Sequence, residues 1–162
     1  MNKSIKQLIV ARFHEILSKV ATEQLPGGPP HARAVTRSTA PSVMAAVVPS
    51  IQYSISDESL GSGDGEDFQG YEIEFDIAIK LNLAKVRDAY DACDELAAVV
   101  QARVESDLQL RSDGGGGSAL CNWVKYLGEN PFTNEVNGPL AGTVLFYRVA
   151  YRRQRGRPDL KY

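Results

Sequence analysis

Residues 71–81, YEIEFDIAIKL, alternate without a break: Tyr71, Ile73, Phe75, Ile77, Ile79 and Leu81 against Glu72, Glu74, Asp76, Ala78 and Lys80. Successive side chains of a strand point to opposite faces, so this period specifies a strand with one apolar and one polar face. The apolar face demands a covering layer. The three carboxylates on the other face are open to four readings: a metal, acid–base chemistry, plain water, or a surface that must not adhere to something.

The covering layer is supplied by two helical stripes. Residues 4–22 repeat apolar side chains at helical spacing through Ile5, Leu8, Ile9, Phe13, Ile16, Leu17 and Val20, with Ser4 as N-cap and PGGPP at 26–30 as the stop. Residues 84–108 do the same through Val86, Ala89, Tyr90, Cys93, Leu96, Ala97, Val100, Val104 and Leu108. A strand starting near Ser42 and interrupted by Pro49 precedes the acidic stretch 57–70, which reads as a long hairpin loop. Strands at ALCNWVKYLG and LAGTVLFYRVAYRR follow the second helix, separated by the turn-rich ENPFTNEVNGP. The order helix, strand, strand, helix, strand, strand predicts an α+β domain, with a mostly antiparallel four-stranded sheet and two helices packed on one face. Residues 1–162 form a single domain in this reading, and 154–162 a basic C-terminal arm.

Charge is distributed unevenly. The formal net charge is −2, yet Asp57 to Asp76 holds eight acidic residues and no basic one. Arg148, Arg152, Arg153, Arg155, Arg157 and Lys161 crowd the other end of the chain against the single Asp159. Such local asymmetry speaks to contacts more than the net value does. The N-terminal segment is broken by Arg12, His14 and Glu15, which is unlike a secretory leader, and no apolar run reaches membrane-spanning length. Two cysteines, Cys93 and Cys121, make no disulfide framework, and Cys93 falls on the helical stripe as a core residue.

Catalytic patterns are sparse. The glycines of SDGGGGS lack the lysine of a phosphate loop and lead out of a helix toward a strand, so they read as a flexible connection. The two histidines, His14 and His31, stand in unrelated contexts, which argues against a zinc site or a triad. Glu72, Glu74 and Asp76 project from one strand face and could hold a divalent cation, but Lys80 lies four residues from Asp76 where nuclease-type sites place it closer. No cofactor, no metal and no enzymatic activity are expected.

The acidic loop, the strand YEIEFDIAIKL, the helix VRDAYDACDELAAVVQARV and the closing strand GTVLFYRVAYR together resemble the tail terminator proteins of long-tailed bacteriophages. The resemblance covers nearly the whole chain and is one of element order and texture. The Pro-rich stretch 26–41 and the basic extension after Arg152 depart from it. It implies a virion structural protein, a homohexameric ring that caps the tail tube, ends its polymerisation and joins the tail to the head–tail connector protein. The implied partners are further copies of itself, the tail-tube protein, the connector, and genomic DNA passing through the channel without specific binding. No membrane is involved, and the implied place is the head-proximal end of the tail, after assembly in the host cytoplasm.

Within that picture Glu72, Glu74 and Asp76 line the channel or face a neighbour, with the channel preferred. Arg148, Arg152, Arg153, Arg155, Arg157 and Lys161 form an inter-subunit basic arm, because neighbours in a closed ring meet through two different patches. Rival readings are another head–tail joining or tail-tube ring subunit, a small metal-dependent nuclease on the acidic strand, and a nucleic-acid-binding module using the basic tail.

Overall fold

The computed structural model describes residues 3–22, 34–37, 50–62, 65–82, 89–111, 117–134 and 140–161. The elements are α1 (Ile5–Thr22), β1 (Ala34–Arg37), β2 (Ser50–Ile55), β3 (Ser59–Leu60), β4 (Phe68–Asn82), α2 (Ala89–Glu105), β5 (Trp123–Asn134), β6 (Leu140–Gln154) and β7 (Arg157–Lys161). The loop at 26–30, His31, the strand start at 42–49, Val86 and the glycines at 114–116 lie outside the described residues. So does the side chain of Tyr90.

The four-stranded, mostly antiparallel sheet expected from the sequence is corrected. Among the described residues one mixed sheet of seven strands runs in the order β1-β2-β4-β6-β5, with β3 added to β4 and β7 to β6. β1 runs parallel to β2, and the remaining pairings are antiparallel. The three additional strands are short, and each is held by hydrogen bonds to a longer neighbour rather than by a periodic pattern of its own.

β4 begins at Phe68, inside the stretch read as a hairpin loop. That stretch folds back on itself: the Gly61 N–H donates to Gly70 O at 3.1 Å, and the Gly65 N–H donates to Phe68 O at 3.0 Å. β5 runs on to Asn134 through the stretch read as turns, because Gly128–Asn134 pair without a break with Leu140–Phe146 of β6. The C-terminal segment 154–162, read as a basic arm, turns back on the sheet. Gly156 takes φ 71°, a left-handed conformation open to glycine, and the chain returns as β7 along β6.

α1 starts on a capping box. Ser4 Oγ accepts the Gln7 N–H at 3.2 Å, and Gln7 Oε1 accepts the Ser4 N–H at 2.9 Å. Its buried stripe and that of α2 meet the apolar face of β4 and β6 in one core containing Phe13, Leu17, Ile73, Phe75, Ile77, Leu96, Val100, Leu145, Tyr147 and Val149. Cys93 belongs to a smaller cluster with Leu81 and Ala141. α2 ends at Glu105, so Leu108 is off the stripe and 47% exposed, while Leu110 turns inward at φ 47° and is fully buried. No helix of the described residues is long and apolar enough to cross a membrane.

Candidate functional site

The polar face of β4 lies on the side of the sheet away from this core, and its neighbours come from the strand register. Glu72 stands opposite Ala150, Glu74 opposite Arg148 and Asp76 opposite Phe146 on β6. On the other side Asp76 faces Ser54 and Lys80 faces Ser50 of β2.

The register brings the acidic and basic stretches of the sequence together within one chain. Arg148 Nη2 donates to Glu74 Oε1 at 2.6 Å and Nε to the same oxygen at 3.0 Å, with Glu72 Oε2 3.7 Å from Nε. The bond to Glu74 raises the Arg148 pKa further above its ordinary value, so the charge is permanent. Lys125 of β5 stands on the far side of Arg148. Two of the three carboxylates therefore converge on an arginine instead of on a shared cation site. Among the described residues, no group of three or more His, Cys, Asp or Glu side chains is arranged to hold a metal ion. Asp76 is different: burial first, and Glu74 second, push its carboxyl above the usual range. Lys80 is buried at 1% exposure, donates Nζ to Gln52 Oε1, and has its pKa lowered by that burial.

The opposite face of the β4–β6 pair carries a second charged cluster. Arg153 Nη1 donates to Glu58 Oε1 at 3.2 Å, and the Tyr151 hydroxyl donates to the same oxygen. The Arg153 guanidinium sits 3.9 Å from the centre of the Tyr71 ring, which stacks in turn on Tyr151. Arg152, on the other face, lies over Phe68 at 4.9 Å. Arg155 fastens the folded acidic stretch: its N–H donates to Asp67 O at 3.0 Å and Nε to Gly65 O at 3.4 Å. Arg157 and Lys161 are carried on β7. Arg148, Arg152, Arg153 and Arg155 thus all have partners inside the chain, and Glu58, which joins two of the contacts, is not singled out by any sequence pattern.

Sequence reasoning also misses the edge of the sheet. Among the described residues β5 pairs with β6 on one side and with nothing on the other. Trp123 is 37% exposed on this edge strand and Leu127 43%. Leu127 sits in a bulge, where the register slips between Tyr126 and Gly128, and Gly128 takes φ 139°. A long edge strand with exposed apolar side chains is a ready template for pairing, and isolated proteins usually blunt such an edge.

No family model matches the chain, and no curated protein matches it. Among solved structures it is similar to a chain of the virion of a native gene transfer agent particle, with 13% identity over 91% of this chain and 90% of that one, at a TM-score of 0.40. A superposition this loose assigns neither fold nor role.

Proposed function

We propose that the protein is a virion structural subunit of the tail-terminator kind, which assembles with copies of itself into a ring, caps the tail tube and joins it to the head connector. The observation that carries this reading is the β5 edge, with Trp123 and Leu127 exposed and one side of a twelve-residue strand unpaired among the described residues. Such an edge serves a subunit that meets a neighbour. The order of elements read from the sequence, which resembles that of tail terminators, supports this kind of assembly. Another head–tail joining or tail-tube ring would use the same edge, and the two are separated by whether the ring stops tube growth.

The pairing of Glu72 and Glu74 with Arg148 supports a non-catalytic role and changes the reading of the acidic face. Arg148 and Lys125 beside the carboxylates make this face mixed in sign. A mixed face neither grips DNA nor strongly repels it, which suits a channel wall or a contact with a neighbouring copy. The basic end, carried on β6 and β7, meets an adjoining subunit in the same reading.

The test is size and function together. Light scattering across a concentration series should give a monomer–hexamer distribution, and added protein should arrest tube-protein polymerisation at the capped end. A strict monomer that leaves polymerisation unchanged would overturn the reading, as would cleavage of supercoiled plasmid with magnesium or manganese.

A further inference from the structure

The strand register places two opposite charges at the ends of one row across the sheet. Glu129 of β5 stands opposite Leu145 of β6, Leu145 opposite Ile77 of β4, Ile77 opposite Tyr53 of β2, and Tyr53 beside Arg37 of β1. Leu145, Ile77 and Tyr53 are buried in the core beneath the helices, so Glu129 and Arg37 belong to that same face. β5 and β1 are the outermost strands, and among the described residues neither has a partner on its outer side. Both end residues are exposed.

The surroundings of the two ends differ in sign. Near Glu129 stands Glu105 of α2. After burial, Glu129 and Glu105 are the causes that push the Tyr126 hydroxyl of β5 up, so both carboxylates lie around that side chain. Glu105 accepts from the neutral Gln101 Nε2 at 2.9 Å, and among the described residues neither carboxylate is in an ion pair. Lys125, the cation of β5, stands opposite Arg148 and belongs to the outer face. At the other edge a cleft of about 480 Å³ opens between α1 and the β1–β2 pair, lined by Lys6, Val10, Ala11 and His14 of α1 with Arg37 and Tyr53. No acidic side chain lines it, and among the described residues neither Lys6 nor Arg37 is in an ion pair. The His14 Nδ1 and the Tyr53 hydroxyl, 3.1 Å apart, join the helix to the sheet there.

We propose that the β5 edge of one copy meets the β1 edge and the α1–β1 cleft of the next, with Glu129 facing Arg37, Glu105 adding to the field that Lys6 answers, and Leu127 turned to the apolar wall of Val10 and Ala11. The inference rests on the β5 edge being a contact between copies, and it names what that edge meets. The strand directions suit it. β5 and β1 run in opposite directions across the sheet, so two copies side by side in one orientation bring them together as an antiparallel pair. The two patches are different, so the contact repeats from copy to copy and can close a ring. Opposite charge at the two edges favours this pairing over the meeting of like edges.

The experiment is a charge exchange on the full chain, read by sedimentation velocity over a concentration series at fixed ionic strength. Arg37→Glu and Glu129→Arg, each alone, set like charges against each other and should weaken association about tenfold or more. An equimolar mixture of the two variants restores opposite charge at every contact and should assemble close to wild type, as should the chain that carries both changes. Glu66→Arg, the same change of charge on the exposed acidic stretch, should leave association unchanged. Circular dichroism checks the fold. If a reversal does not fold, Arg37→Gln and Glu129→Gln replace it, and their double variant should be no weaker than either single one. Loss without rescue on mixing, an equal loss in Glu66→Arg, or reversals that assemble as the wild type does would each overturn this contact and leave the ring standing. A wild-type protein that stays monomeric at every concentration would overturn both.

Discussion

Phe13 of α1 lies flat on Phe75 of β4, with ring centroids 4.0 Å apart and planes 14° from parallel. Both rings are fully buried, and Phe13 also meets the Tyr147 ring of β6 edge-on at 6.2 Å. One helical side chain thereby ties together the two central strands that carry the charged outer face. Phe13→Ala should destabilise the protein by about 3–5 kcal/mol, as for deletion of a buried aromatic ring. Phe13→Leu should recover much of that by keeping volume. Urea unfolding of the three proteins checks it, and a loss below about 1 kcal/mol for the alanine variant would contradict the central place given to this contact.

The thiols provide an independent check on the core. Burial pushes Cys93 up to about 11 and Cys121 up to about 12. Asp94 and Asp107 add to the respective shifts, and the Cys121 thiol points its Sγ at Leu108 O, 3.7 Å away. At pH 8 both stay protonated, and the thiolate is the reactive form. Alkylation by iodoacetamide should be slow in the native protein and should reach both cysteines quickly in denaturant. Rapid native labelling of Cys121 would mean that the segment between α2 and β5 opens readily.

Several of these features are legible in the sequence, and the reasons differ. The faces of β4 follow from its period of two, and Leu96, Val100 and Val104 follow from helical spacing, because burial imposes those periods. β1, β3 and β7 carry no period, since strands of four, two and five residues owe their existence to a neighbour's hydrogen bonds. Glu129 to Asn134 have the composition of a turn, including Pro131, yet pairing with β6 overrides local preference. The Glu74–Arg148 bond joins residues 74 apart in the chain, and only the register between β4 and β6 decides that they face each other. Arg12 leaves a readable sign: a charge on an apolar stripe marks either an interruption or a buried cation, and here it is buried and ion-paired with Glu15 at 2.7 Å.

Asp76 should make stability depend on pH in the direction opposite to a salt-bridged carboxylate. Burial and the nearby Glu74 raise its folded pKa above the ordinary 3.8, while Ser54 and Phe146, its cross-strand neighbours, bring no positive charge. The folded state then binds the proton more readily than the unfolded state. Ionised Asp76 costs stability above its folded pKa, and the cost is relieved as pH falls from that value through 3.8. Asp76→Asn should therefore stabilise the protein at pH 7, with the gain shrinking toward pH 3. Chemical denaturation of both proteins at the two pH values measures this, and a variant less stable at pH 7 would show that the carboxylate is held by an attractive contact.

The edge of the sheet gives the sharpest test of assembly. Leu127 and Trp123 are exposed on β5, and Leu127 projects from a bulge that removes it from the regular ladder. Neither side chain belongs to the buried core, so changing either should leave the monomer close to wild-type stability, within about 0.5 kcal/mol for a surface position. A lysine on an edge strand discourages another strand from pairing there, because its charge would have to be desolvated or placed beside the partner's backbone. Leu127→Lys should shift the association equilibrium toward monomer at every concentration, with unchanged circular dichroism. The loss should exceed that produced by Leu60→Lys, which alters the most exposed large apolar side chain described, on β3 away from this edge. Sedimentation velocity on the three proteins makes the comparison. If Leu127→Lys assembles as the wild type does while Leu60→Lys does not, the contact between copies lies at the β3 side of the sheet, and the β5 edge has no part in holding the ring.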